Sequence, residues 1–161
     1  MTVSERDLQV VAEQLGRPPR GVVGIAARCV CGRPTVVRTA PRLDDGTPFP
    51  TTFYLTHPAA TVAVSTLEAS GVMREMSARL ADDPALAAAH RRAHEDYLAR
   101  RAELGDVPEI AGISAGGMPD RVKCLHVLVA HALAVGPGIT VLGDETLALI
   151  ADRWSPQVCR C

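Results

Sequence analysis

The sequence predicts an α+β fold. Apolar, β-branched segments crowd the first third, segments with helical periodicity fill the remainder, and no repeat or low-complexity linker divides them. A short antiparallel N-terminal sheet or hairpin is expected to pack against about five to six helices. A chain of 161 residues fits one domain over residues 1–161, with a short cysteine-containing tail at 155–161.

The elements follow in order. Ser4 is the N-cap of a first helix and Asp7 lies near its N3 position. Leu8, Val11 and Leu15 form its apolar stripe, and Gly16 with Pro18-Pro19 stops it. Val22 to Ala27 and Thr35-Val36-Val37 read as two strands joined by the turn Cys29-Val30-Cys31-Gly32-Arg33-Pro34. Three prolines and Asp44-Asp45-Gly46 make residues 40–50 a loop, and Thr51 to Thr56 supplies a third strand. Pro58 suits a first helical position and Gly71 a position just past a helix end. A helix over 72–80 follows, and Asp82-Asp83-Pro84 starts a long one to about Leu104. After a loop over 105–118, Pro119-Asp120 is read as opening a helix to about Val135, which Gly136-Pro137-Gly138 ends. The last helix is expected over Asp144 to Trp154.

Composition excludes several functions. A net charge of -1 gives no global field to recruit nucleic acid or anionic lipid. Five aromatic residues (Phe49, Phe53, Tyr54, Tyr97, Trp154) leave few platforms for stacking bases. No segment approaches the roughly 18 apolar residues of a spanning helix, and Met1-Thr2-Val3-Ser4-Glu5-Arg6 lacks the basic and apolar regions of a signal peptide. Cytoplasm is the expected location. There the five cysteines would be reduced, which favours metal or redox roles over structural disulfides.

Cys29 and Cys31 sit at the expected hairpin tip, and on extended backbone both side chains lie on one face. Cys159-Arg160-Cys161 is a second pair of the same spacing. Zinc takes four tetrahedral N or S ligands and iron–sulfur clusters take thiolates, so two such pairs plus Cys124 suit either. The expected shell is Cys29, Cys31 and Cys124, completed by His57 or Cys161. His57 stands at a helix start, which favours the neutral, ligating imidazole. Two plainer readings stand beside this one. Cys29 and Cys124 can be small buried hydrophobes with free tail cysteines, or the thiols can exchange. The role of Cys159 stays open.

Gly116 and Gly117 approach a helix start, with Arg121 and Lys123 adding positive charge. This is an expected anion site, although the Lys-Ser/Thr of a Walker loop is absent. Within it Cys124 is a candidate nucleophile and His126 a candidate general acid–base. One hairpin arginine (Arg28, Arg33, Arg38 or Arg42) is expected to help hold the anion. Cys124 and His131 share a helix face, so His131 is either a support behind a metal-bound cysteine or a satisfied core histidine. His90 and His94 have the i, i+4 spacing of a metal pair, although on a charged helix such pairs are usually solvated.

The run Arg121-Val122-Lys123-Cys124-Leu125-His126 with Ala130-His131 and Leu133-Ala134 resembles a bacterial family called domain of unknown function 501. So do Arg28-Cys29 with Gly32-Arg33-Pro34, and Asp45-Gly46-Thr47-Pro48-Phe49-Pro50-Thr51 with Tyr54-Leu55-Thr56-His57-Pro58. The resemblance covers residues 4 to 154. It implies a bacterial cytoplasmic protein, with members encoded beside a cell-division protein and an exopolyphosphatase, and it supplies no catalytic residue. Three functions are expected in turn: a metal- or cluster-binding protein, a small enzyme acting on a phosphate- or carboxylate-bearing substrate at 112–126, or an adaptor docking a cell-division or polyphosphate protein through helices over 72–104.

Overall fold

Helix α1 (Glu5–Leu15) begins as its capping residues dictate: the Ser4 hydroxyl accepts the Asp7 amide and the Asp7 carboxylate accepts the Ser4 amide. Gly16 closes it in left-handed backbone at φ 71°. The structure, a computed structural model, describes residues 3–161. Met1 and Thr2, which open the segment read for a leader, lie outside the described residues.

Strands β1 (Val22–Arg28), β2 (Pro34–Thr39) and β3 (Phe53–Leu55) form one antiparallel sheet in that order. Val36 pairs with Leu55, and Val37 with both Tyr54 and Ile25. Alternation then sends Val36, Phe53 and Leu55 into the main helical core and Val37 with Ile25 against Val11 of α1. Both faces of β2 are covered, and all of its residues except Arg38 are buried.

His57 caps α2 (Pro58–Glu68), its Nδ1 accepting the Ala60 amide at 3.4 Å. Helix α3 (Val72–Asp82) follows Gly71, and the Asp83 carboxylate accepts the Ala85 and Leu86 amides to start α4 (Pro84–Ala102). Helix α5 (Leu125–Val135) runs through the core, burying Leu125, Leu128 and Val129. Helix α6 (Val141–Leu149) lies against it so closely that a Cβ on Gly143 would overlap the Leu128 carbonyl. The described residues thus hold a three-stranded antiparallel sheet in the N-terminal half and six α-helices, the expected α+β fold. None of these helices is long and apolar enough to cross a membrane.

The later helices depart from the sequence reading. Pro119-Asp120 does not open α5. The Lys123 amide donates back to the Gly116 carbonyl at 2.8 Å and the Arg121 amide to Gly117 at 3.1 Å, closing a loop, so the helix waits until Leu125. Helix α6 starts before Asp144 and stops at Leu149. Trp154 lies beyond it, with no solvent exposure, its amide donating to the Ile150 carbonyl at 2.9 Å. Helix α4 turns Leu86, Ala89, Ala93, Tyr97 and Arg101 inward and leaves Arg91, Arg92 and Glu95 exposed.

Candidate functional site

The β1–β2 turn is built as a sulfur-presenting loop. Cys29 accepts the Gly32 amide at its carbonyl and donates its own amide to Arg33, both at 2.8 Å. Gly32 takes φ 91°, a conformation glycine adopts without the Cβ penalty. The turn directs the Cys31 amide at the Cys29 sulfur and the Arg33 amide at the Cys31 sulfur. Amides placed this way stabilise thiolates. Two contacts hold the loop. The Arg28 guanidinium grips Asp7 through both nitrogens at 2.8 and 3.0 Å and reaches the Gly32 carbonyl at 2.9 Å. Gln14 of α1 donates to the Pro34 carbonyl at 2.8 Å.

The chain end returns to this loop. Buried Trp154 anchors the segment after α6, and its ring lies 5.5 Å from that of His57. A turn over 155–158 then delivers Cys159 and Cys161. The sulfurs of Cys29, Cys31, Cys159 and Cys161 all lie within 4.8 Å of one another, with Cys31 and Cys161 3.4 Å apart. Cys29 is buried and the other three are exposed.

His57 completes the surroundings. Its Nδ1 accepts the Ala60 amide, so the ring proton sits on Nε2, which lies 3.1 Å from the Cys161 sulfur and donates to it. His57 thus stands behind the sulfurs and touches one of them. Arg33, Arg160, Glu13 and Gln14 line a cleft of about 220 Å³ beside Cys161.

Cys29, Cys31 and Cys161 are shifted in opposite directions. The Arg33 amide, helped by the Cys161 thiol, lowers Cys31 to about 7. Burial raises Cys29, and burial together with the neighbouring sulfurs raises Cys161. One thiolate forms readily and further ones meet its charge. A bound dication reverses this, because a coordinating thiol is deprotonated outright. Four cysteines this close could hold a metal ion.

Cys124 does not join them. The expected grouping of Cys124 with Cys29 and Cys31 does not form, because Cys159 and Cys161 of the C-terminal tail take that place. Cys124 belongs to a second group with Glu68 and His126, whose ligand atoms also lie within 4.8 Å of one another. His126 Nδ1 is 4.0 Å from the Cys124 sulfur and 3.2 Å from Glu68 Oε1. Its Nε2 lies 3.3 Å from the Thr61 carbonyl and 3.1 Å from the Ser65 hydroxyl. Burial raises the Cys124 thiol, but His126 and the Val127 amide outweigh it and the net shift is downward. Cys124 in turn raises His126.

Residues 25–148, more than half of the chain, match the model of a family described as "Protein of unknown function (DUF501)". The chain belongs to this family. No curated protein and no solved structure matches it. The family match takes in Cys29, Cys31, His57, Glu68, Cys124 and His126, while Cys159 and Cys161 follow its end.

The remaining candidates fall as follows. Gly116, Gly117, Arg121, Lys123 and Cys124 line one cleft of about 590 Å³, but none of the hairpin arginines reaches it. Arg28, Arg38 and Arg42 are instead paired with Asp7, Glu103 and Glu109. The backbone amides of Arg121 and Lys123 are spent on the Gly117 and Gly116 carbonyls. His131 has no contact with Cys124. It is fully buried between the Asp96 carboxylate at 2.8 Å and the Thr140 hydroxyl at 2.7 Å, stacked on Phe53. His90 and His94 are buried rather than solvated and face different partners, the Arg121 carbonyl and the Ser114 hydroxyl. Glu68 escaped the sequence reading altogether, since an acidic residue at a helix end carries no signal of what it will meet.

Proposed function

We propose that this protein binds one zinc ion through Cys29, Cys31, Cys159 and Cys161, and that the ion fastens the C-terminal tail to the β1–β2 hairpin. One observation carries the reading: four sulfurs from segments 130 residues apart lie within 4.8 Å of one another. Zinc–sulfur bonds of about 2.3 Å arranged tetrahedrally put sulfurs roughly 3.8 Å apart. That separation suits a single ion. An iron–sulfur cluster distributes its thiolates over separate irons and spreads them more widely. The donor chemistry agrees: amides face the Cys29 and Cys31 sulfurs, and the His57 Nε2–H faces Cys161.

A four-thiolate shell is closed and leaves no position for a substrate, so the ion's contribution is to folding. It links chain segments that otherwise meet only through Trp154 and neighbouring contacts. A reducing compartment such as the cytoplasm would keep the thiols available for it. Elemental analysis of protein purified without oxygen tests the reading. A zinc content that falls by one equivalent in Cys31→Ser and in Cys161→Ser supports it. Iron with sulfide would replace the single ion by a cluster, and the absence of both metals ends the proposal.

A further inference from the structure

We infer that Glu68, Cys124 and His126 form a second, independent site for a divalent cation, with three protein ligands and a remaining position open to a small anionic ligand in the Gly116–Gly117 cleft. The ring geometry of His126 carries this. In a thiol nucleophile activated by histidine, sulfur meets one ring nitrogen and the orienting carboxylate meets the other. Here both face Nδ1, the sulfur at 4.0 Å and Glu68 Oε1 at 3.2 Å. That is convergence on a point rather than a relay. Tetrahedral zinc with bonds of about 2.0–2.3 Å separates such ligand atoms by roughly 3.3–3.7 Å, between the two distances observed.

The other atoms are arranged as ligand supports. His126 Nε2–H donates to the Thr61 carbonyl at 3.3 Å, the contact that fixes the tautomer of a metal-bound imidazole. Glu68 Oε2 accepts the first amide of α5, from Leu125, at 2.8 Å, which turns Oε1 toward the ring. A dication at that point would take the carboxylate, the thiolate and the ring nitrogen together.

Three ligands leave zinc a position for water or a substrate atom. Cys124 is the member that reaches the cleft of about 590 Å³, where Lys123 and Arg121 supply positive charge and Asp120 opposes it. The wall beside it needs glycine at 117. At φ 89° an added Cβ would lie 3.0 Å from the Arg121 carbonyl and from the Lys123 amide and side chain. An anion entering there would meet the ion and the Lys123 ammonium together.

The test uses the full chain as Cys159→Ser/Cys161→Ser, which removes two exposed thiols and the first site. After zinc loading and dialysis, about one equivalent should remain. Adding Glu68→Gln or His126→Ala should weaken zinc at least 10-fold, with circular dichroism confirming the fold. Cobalt(II) in place of zinc should show a single-thiolate charge-transfer band that Cys124→Ser abolishes. Inorganic phosphate should shift the cobalt d–d bands, several-fold more weakly in Lys123→Ala. Should the double variant not fold, the zinc count of the unaltered chain should fall by one in Glu68→Gln. Absence of retained zinc, retention indifferent to Cys124 and Glu68, or cobalt bands insensitive to phosphate would overturn the inference.

Discussion

The two sulfur-bearing clusters use similar residues in opposite ways. At the hairpin, four cysteines gather from two loops, three of them exposed, and a histidine stands outside the sulfurs and touches one. At the start of α5, one cysteine, one histidine and one glutamate converge from two helix ends, all half-buried, beside a cleft. The first arrangement is closed and joins distant parts of the chain. The second, as inferred above, keeps one position for a ligand, and its Cys124 lines a cleft. The second lies within the family match, whereas half of the first follows it. Ligand type alone therefore does not distinguish a fastening site from a reacting one. What distinguishes them is whether the protein fills the last position.

Separating the clusters experimentally begins with Trp154→Ala. Removing a fully buried indole should cost about 3–5 kcal/mol in urea unfolding. It should also free the tail, so that zinc affinity falls at the four cysteines and not at Glu68, Cys124 and His126. Cys31→Ser should remove the zinc-dependent share of stability at the hairpin. With zinc 1,000-fold above its Kd this is about 4 kcal/mol, read as the loss of most of the zinc-induced rise in Tm. His57→Gln keeps the ligands and removes their support. A chelator competition should show a roughly 10- to 100-fold weaker hairpin site and an unchanged second site.

Smaller effects come from titration. Burial holds His90, His94 and His131 neutral, their pKa values below the ordinary 6.5. A histidine depressed on folding contributes stability above its unfolded value and loses it as pH falls from there through the folded one. Metal-free protein should therefore lose urea resistance progressively below about pH 6.5, and a flat profile would contradict this burial. The Arg28 guanidinium holds the Asp7 carboxyl well below the usual range. By the same sign its stability is present above pH 3.8 and lost only in strong acid. The pair is partly exposed, so Asp7→Asn should cost about 1 kcal/mol or less while loosening the hairpin turn.

Local physics explains what the sequence could convey. Ser4 with Asp7, Pro58 and Asp83 mark helix starts because caps act over three or four residues. The hairpin was legible because β-branched runs flank a Gly-Pro turn. Gly116-Gly117 with Pro119-Asp120 imitated a helix start, and only the return of the Lys123 amide to Gly116 distinguishes the loop from a helix. Partner choice among the cysteines was not legible. Two pairs of equal spacing and one single cysteine permit several groupings, and the anchor that settles it, Trp154 against His57, is a contact between residues far apart in sequence. Glu68 meets Leu125 across 57 residues, with nothing near either to announce it. His90 and His94 looked solvated because their arginine neighbours are polar, yet both are covered.

Zinc K-edge absorption on two single-site proteins tests the central distinction most directly. In Glu68→Gln/His126→Ala the account predicts a shell of four sulfurs at about 2.3 Å and no light scatterer. In Cys159→Ser/Cys161→Ser it predicts one sulfur with nitrogen and oxygen at about 2.0–2.2 Å. Identical shells in both proteins, or nitrogen and oxygen dominating the first, would contradict a closed thiolate fastening beside an open three-ligand site.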